Sequence, residues 1–255
     1  MIFNWSVFFH YLLEPSSIYL HGLWLTLSIS VVSQLIGTTL GLFAALGRLS
    51  RLRILRGLAG FYVWVMRGTP LLVQIVFIYT ALAAANIIHF HDIDLGFVVL
   101  PGNVQAGIIA LSLNEAAYMC EIIRAGINSI DRGQTEAAKS LGMTPGLLLR
   151  RIILPQAARV IIPPLGNNFN SMLKSTTLLS VIGVPELLLA TQMVTSATFR
   201  VFELYSVVAL YYLSLTTLWG FLQRLIEERY SAPFAETRSK PARRSLLAGL
   251  FGGTP

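Results

Sequence analysis

Long apolar runs alternate along this chain with short stretches that collect most of its lysines and arginines. A helix crossing a bilayer core about 30 Å thick needs roughly 20 consecutive apolar residues, and five stretches approach that length. Residues 22–47, GLWLTLSISVVSQLIGTTLGLFAALG, carry no charge. A second run extends from Pro70 to Ile88, with Thr69 as the expected N-cap and Pro70 at the first helical position. The third, Val104 to Ile127, contains Asn114, Glu115, Glu121 and Arg124. In the fourth, Val160 to Ile182, Pro163, Pro164, Gly166, Asn167, Asn168 and Lys174 predict a broken or kinked helix. Backbone freed there must be satisfied by neighbouring helices or a wet cavity. Phe202 to Leu222 forms the fifth. Between the first two, RLRILRGLAGFYVWVM is too basic at its start to open a span and is expected to lie as an interfacial helix.

Composition agrees with a membrane protein: 55% of the residues are hydrophobic, 12% are charged, and the mean hydropathy is +0.67. In such a chain the placement of the net charge of +7 matters more than its size, so nucleic acid is not the expected partner. Residues 1–20 hold no Lys or Arg, whereas Arg48, Arg51, Arg53 and Arg56 follow the first span. The connection at 89–102 holds none, the next has Arg132, Lys139, Arg150, Arg151 and Arg159, and the one after the fourth span has only Arg200. The end carries Arg224, Arg229, Arg238, Lys240, Arg243 and Arg244. The expected fold is therefore all-α and polytopic: five transmembrane helices, N-terminus outside and C-terminus inside. Residues 1–17 form an external or interfacial segment, 18–230 the transmembrane domain, and 231–255, rich in Pro, Arg and Ser, a cytoplasmic and poorly ordered tail. The start lacks a basic n-region, and Glu14 and Pro15 interrupt its apolar stretch, so the first span is expected to act as an uncleaved anchor. The single cysteine, Cys120, excludes an intrachain disulfide framework.

Residues 136–155, EAAKSLGMTPGLLLRRIILP, break the apolar pattern on the expected cytoplasmic side. Asp131 with Gln134 resembles a capping arrangement, Gly142 supplies a stop, Thr144 caps a second helix with Pro145 at its first position, and Pro155 ends it. Ala137 and Ala138 would give a smooth patch with Glu136 at its edge. Physics alone leaves two uses open: docking another protein, or lying on the membrane surface.

Glu136, Ala137, Ala138, Gly142, Ile152, Ile153, Leu154 and Pro155 fit without a gap the EAA loop of ABC importer permeases. HGLWLTLSIS, RGTPLLVQ, LNEAAYMCEIIRAGINSI and LKSTTLLSVIGVPEL resemble the polar amino acid branch of that family, and the resemblance spans residues 18–230. It implies a type I importer permease in a bacterial inner membrane. Its loop, 131–157, would couple to a dimer of cytoplasmic ABC ATPases through Glu136, Ala137, Ala138, Gly142, Ile152, Leu154 and Pro155. Further partners implied are an extracytoplasmic binding protein, a second permease copy or sibling, and a polar amino acid.

The chain holds no P-loop, since its three lysines follow Ala138, Leu173 and Ser239 rather than glycine. ATP and Mg would therefore be bound by the partner ATPase, with no cofactor in this chain. No HExxH, Cys and His cluster or G-x-S-x-G is present, which predicts a non-catalytic subunit. Charged groups at membrane depth are costly and usually functional, so Glu115, with Asn114 and Tyr118, is a candidate substrate contact. Asn114, Tyr118, Glu121 and Asn128 share one stripe. Lys174, Ser175 and Thr176 can present donors to a substrate carboxylate. The structural alternatives are that Asn114 and Glu115 hold helices together at a permease dimer interface and that Lys174 snorkels. Glu121 and Arg124 are expected to pair, Arg67 to anchor a span, and His89, His91, Asp92 and Asp94 to form a solvated outer loop or receptor contact rather than a metal site. Two rivals are an ion-coupled secondary transporter, which should show internal repeats, and a non-transporting anchor subunit.

Overall fold

The structure is a computed structural model that describes residues 3–94, 96 and 99–231. The tail expected at 231–255 lies, from residue 232 on, outside the described residues. Three helices are long and apolar enough to cross a membrane alone, and five spans result if each of two bent helix pairs counts as one.

Helix α1 (Trp5–Leu13) is capped by Asn4, whose Oδ1 accepts from the Ser6 and Val7 amides. It docks on the last helix, α11 (Val201–Ser231): the Asn4 amide donates to Glu203 Oε1 at 2.9 Å, and the Tyr211 hydroxyl donates to Leu12 O at 3.1 Å. Phe8 lies in a core cluster with Tyr19, Leu187 and Val207. Helix α2 (Ser17–Leu49) extends the first expected span at both ends.

The tightest seam joins α2 to α6 (Gly102–Asn128). A Cβ on Gly37 would stand 2.7 Å from Glu115 Cβ, and one on Gly41 would stand 2.6 Å from Met119 Cβ and 2.9 Å from Ala116 O. Between apolar helices in lipid, close approach through small residues replaces the hydrophobic effect as the source of association. A four-residue advance on α2, from Gly37 to Gly41, matches a four-residue advance on α6, from Glu115 to Met119, so the two helices run in the same sense. The chain between them must therefore return across the same depth.

That return is bent. Helix α3 (Arg53–Gly68) meets the segment Leu71–Ala84 at 108°. This segment consists of α4 (Leu71–Val76), a π turn at Phe77–Ala81 and α5 (Leu82–Ala84). Fourteen helical residues rise only about 21 Å, so the second expected span is too short to cross alone. The stretch expected to be an interfacial helix packs against the spanning helices. Val63 is buried beside Ala45, Met119 and Cys120, and the Tyr62 hydroxyl donates to Leu113 O. The N-cap of α4 is Pro70, in extended geometry, rather than Thr69. The Thr69 hydroxyl instead donates to Val65 O and accepts from Gln74 Nε2.

The connection before α6 forms a two-residue antiparallel ladder, β1 (Ile93–Asp94) with β2 (Val99–Leu100). Asp92 Oδ1 accepts from the Gly102 amide at 2.8 Å and so caps α6.

Beyond α6, Asp131 caps α7 (Arg132–Ser140) through the Gly133 amide. Gly142, at φ +73°, closes it: the Gly142 amide bonds Lys139 O and the Met143 amide bonds Ala138 O. Thr144 Oγ1 accepts from the Leu147 amide to start α8 (Pro145–Leu148). Pro155 does not end this helix. A π turn at Leu149–Ile153 carries α8 directly into α9 (Leu154–Ser175), with the Leu154 amide reaching back five residues to Leu149 O. The widened turn admits a proline that has no amide to give.

Pro163 and Pro164 likewise sit inside α9. The expected break comes later, where the Thr176, Thr177 and Ser180 hydroxyls each bond the carbonyl three residues back. The chain there tightens into a 3-10 helix, Thr176–Ile182. It stops at Gly183, φ +78°, before α10 (Leu187–Thr198) leaves at 51°.

The seam predicts that Gly41→Leu, which must displace backbone on α6, destabilises the detergent-solubilised protein by about 1–3 kcal/mol. Gly57→Ala, with nothing within 4 Å of the new Cβ, should stay within about 0.5 kcal/mol of the parent. Thermal unfolding of both variants checks this, and equal melting temperatures would refute the seam.

Candidate functional site

A cavity of about 420 Å³ opens between the start of α4, α6 and α9. Its polar lining comes from Thr69, Asn114, Glu115, Tyr118, Asn168, Ser171 and Ser175. Glu115 is 6% exposed, and a carboxylate taken so far from water needs hydrogen bonds to remain there. Its Oε1 accepts from Gln34 Nε2 on α2 at 2.9 Å and from Asn168 Nδ2 on α9 at 3.0 Å. Three helices thus meet on one oxygen atom.

Asn114, one position earlier, faces the joint between α3 and α4. Its Nδ2 donates to Gln74 Oε1 at 3.0 Å and to Met66 O at 3.3 Å. Gln74 Nε2 in turn donates to Met66 O at 2.8 Å and to Thr69 Oγ1 at 2.8 Å. The amides satisfy carbonyls left open by the 108° bend, which is what irregular backbone at membrane depth requires. Tyr118 presents its ring to Arg67, whose guanidinium carbon lies 5.2 Å from the ring centre. Arg67, expected to anchor a span, thus places positive charge beside a side chain that lines the cavity.

The structure brings Asn114, Glu115, Tyr118 and Ser175 to one cavity. Lys174 is exposed and is not part of the lining, and Thr176 is buried with its hydroxyl bonded to Leu173 O. Helical spacing accounts for the division, since Ser175 lies four residues from Ser171 on the cavity side and its neighbours point elsewhere. The sequence reading missed Gln34, Gln74, Asn168 and Ser171. Gln34 is the one amide in the first apolar run, and the rule that singled out Glu115, that polar groups at membrane depth have work to do, applies to it equally.

Toward the other end of α6, Glu121 pairs with Arg124 at 2.7 Å and also with Arg48 at 3.4 Å. Arg48 reaches α6 across α3 because Gly60 leaves room for its guanidinium. A second buried carboxylate, Glu186, accepts from the Tyr212 hydroxyl at 2.7 Å and from the Leu189 amide at 3.0 Å. It caps α10 and fastens it to α11, a structural task.

In the loop, Glu136, Ala137, Gly142, Leu154 and Pro155 are exposed and Ile152 is half-buried. Ala138 is only 4% exposed, so the smooth patch expected from two alanines reduces to Ala137. Beside it stands Leu141, 83% exposed. No other large apolar side chain of the described residues is as exposed, and it lies next to the turn at Gly142 rather than on a spanning helix.

Comparison with known proteins agrees with this architecture. Residues 37–232 match the family described as binding-protein-dependent transport system inner membrane component. The arginine transport system permease protein ArgU of Corynebacterium glutamicum is 36% identical over an alignment covering 99% of this chain and 80% of that protein. The probable amino-acid ABC transporter permease protein YckA of Bacillus subtilis is 38% identical, covering 82% of this chain and 88% of that protein. The putative glutamine transport system permease protein GlnP of Rickettsia bellii is 37% identical over 87% and 98%. Among solved structures, an amino acid ABC transporter crystallised with histidines superposes with a TM-score of 0.79 at 38% identity, over 90% of this chain and all of that one. The inward-facing MetNI methionine ABC transporter superposes at 0.68 and 19% identity, a likeness of fold. With the family matched along most of its length and the same fold around it, the chain belongs to the inner membrane components of binding-protein-dependent transport systems, the non-catalytic, multi-pass permease subunits of ABC importers.

Proposed function

We propose that this permease imports a polar amino acid, delivered by an extracytoplasmic binding protein, and that the Asp131–Pro155 segment couples it to a cytoplasmic ATPase dimer. The observation that carries the reading is the cavity around Glu115. An amino acid brings one ammonium and one carboxylate, and the cavity has an acid in its wall with Arg67 beside lining Tyr118. Glu115 Oε1 is occupied by two amide donors, which leaves Oε2 to receive the ammonium. Asn114, Tyr118, Ser171 and Ser175 supply further polar contacts at a depth where water is scarce. The size of the space, about 420 Å³, suits one amino acid. Arginine and glutamine, named for two relatives, both fit these requirements.

The loop supports the coupling half of the reading. Leu141, held out by the Gly142 turn, is an apolar knob, the most exposed apolar side chain of a loop that also presents Leu147, Leu149 and Leu154, and such a group needs a partner's pocket. The density of Lys and Arg around it favours the cytoplasmic side. ATP and Mg then bind the partner, and closure of the ATPase pair displaces the loop. That displacement shifts the helices between inward-open and outward-open states. A second permease copy or sibling completes the pathway.

Two substitutions separate the halves. Leu141→Glu changes only a solvent-facing side chain, so the protein should fold within about 0.5 kcal/mol of the parent yet lose its ATPase on affinity purification from mild detergent. Retention of the ATPase by this variant would remove the docking role of the knob. Glu115→Gln should keep the ATPase and lower amino acid uptake into proteoliposomes by about 10–100-fold, the worth of a hydrogen bond to a charged group. Unchanged uptake would place the substrate elsewhere.

A further inference from the structure

The two amides on Glu115 Oε1 belong to elements that differ in how they can move. Gln34 is on α2, locked to α6 by the Gly37 and Gly41 contacts, so donor and carboxylate travel together. Asn168 is on α9, whose helical run begins at Pro145, inside the loop, and passes through the π turn without a break. From Pro145 to Asn168 this run is a rod about 35 Å long at 1.5 Å per residue. One donor is fixed to Glu115. The other lies about two turns beyond the point where α9 itself packs on α6, a Cβ on Gly126 standing 2.5 Å from Ile161 Cγ1, so Asn168 is the far end of a lever that starts in the loop and pivots at that contact.

We infer that Asn168 is the positioning residue through which the loop governs the grip of Glu115 on its ligand, an inference that rests on the function proposed above. While Asn168 donates to Oε1, the carboxylate has both its donors and its rotamer is set, with Oε2 directed to the cavity and preorganised for an ammonium group. When the loop moves, α9 carries Asn168 away, while Gln34 stays. Glu115 then keeps one donor and loses its fixed orientation, and the ammonium is released. The cavity is thus tight in one state of the loop and loose in the other, which gives the ligand the differential affinity that any coupled conformational change needs.

Neighbouring contacts favour this assignment over a purely structural tie. Asn168 and Ser171 both line the cavity, so the lever ends at the binding wall itself. The other face of α9 is held separately by α11, where Trp219 Nε1 donates to Gly166 O at 2.8 Å and Gln223 Nε2 donates to Asn167 Oδ1 at 3.2 Å. Packing of α9 therefore does not depend on Asn168.

The test uses the complete transporter, with ATPase and binding protein, in proteoliposomes, reading ATP hydrolysed per molecule of radiolabelled L-arginine or L-glutamine imported. Asn168→Leu should assemble with the ATPase as wild type does, hydrolyse ATP, and raise that ratio by about tenfold, the effect of losing one hydrogen bond to a charged acceptor. A second variant, Asn168→Ser, is smaller and cannot span the gap to Oε1 while leaving Glu115 itself intact, so it too should be uncoupled. A wild-type ratio in either variant, once assembled, would show a mere tie between helices and overturn the inference. If Asn168→Leu fails to assemble, Asn168→Ser decides. Failure of the wild-type chain to retain an ATPase or to import either amino acid would instead overturn the reading of function beneath it.

Discussion

Inside a bilayer a polar group has no water to fall back on, so every hydrogen-bonding atom brought to membrane depth must find its partner within the protein. The carboxylate of Glu115 is where that constraint presses hardest. It sits on α6, takes one donor from α2 and one from α9, and is followed one turn later by Met119, against which Gly41 packs. The seam between α2 and α6 brings Gln34 near enough to donate. The placement of α9 brings Asn168. Take away the carboxylate and Asn168 loses its acceptor while Gln34 keeps only the Thr38 hydroxyl; take away either amide and a buried charge is left short of a donor. The polar centre and the close packing of the helices are one arrangement.

The same requirement explains the joint between α3 and α4. A bend of 108° at membrane depth frees backbone carbonyls, and it persists because Gln74 and Asn114 occupy those positions as surrogate donors. Their hydrogen bonds also hold Thr69 and Pro70 at the cavity wall. A feature needed to satisfy backbone thus becomes part of the site. Hydrogen bonds between membrane helices are individually modest, on the order of 1 kcal/mol. Several sharing their partners resist displacement better than the same number would singly.

Much of this fold is legible in the sequence because its dominant signals are long and one-dimensional. Apolar runs of 20 or more residues report spans, and the α2, α6 and α11 helices stand close to where those runs predict. Capping chemistry around Asp131, Gly142 and Thr144 is local, so it reads correctly from neighbours alone. Proline is the weaker signal. It predicts an end at Pro155, because the rule counts the missing amide and not the widened turn that absorbs it, and a broken or kinked span around Pro163 and Pro164, whose break falls later, at Thr176–Gly183. The site was half legible. Glu115 and Asn114 announce themselves by charge and polarity in an apolar run, whereas the partners that give them meaning, Gln34, Gln74 and Asn168, are distant in sequence. Ala138 shows the same limit: its neighbour Ala137 faces out, and only the packing of the loop decides which of two identical residues does so.

Rigidity and its interruptions complete the picture. The run from Pro145 to Ile182 has a glycine with positive φ just before it, Gly142, and another just after it, Gly183. Both positions put the chain in the left-handed region, where a glycine bears no Cβ penalty. Between those points Pro145 starts the helix and three further prolines, at 155, 163 and 164, fix φ and remove amides without ending it, which narrows the conformations open to it. The 3-10 segment, Thr176–Ile182, is the softer end, its turns held partly by hydroxyls that compete with the backbone ladder. A stiff element bounded by two turns can shift as a body, with the change of direction absorbed at its ends. The residues that such a shift displaces most directly against a fixed partner are those of α9 facing α6, and Asn168 is the one bonded to the charge.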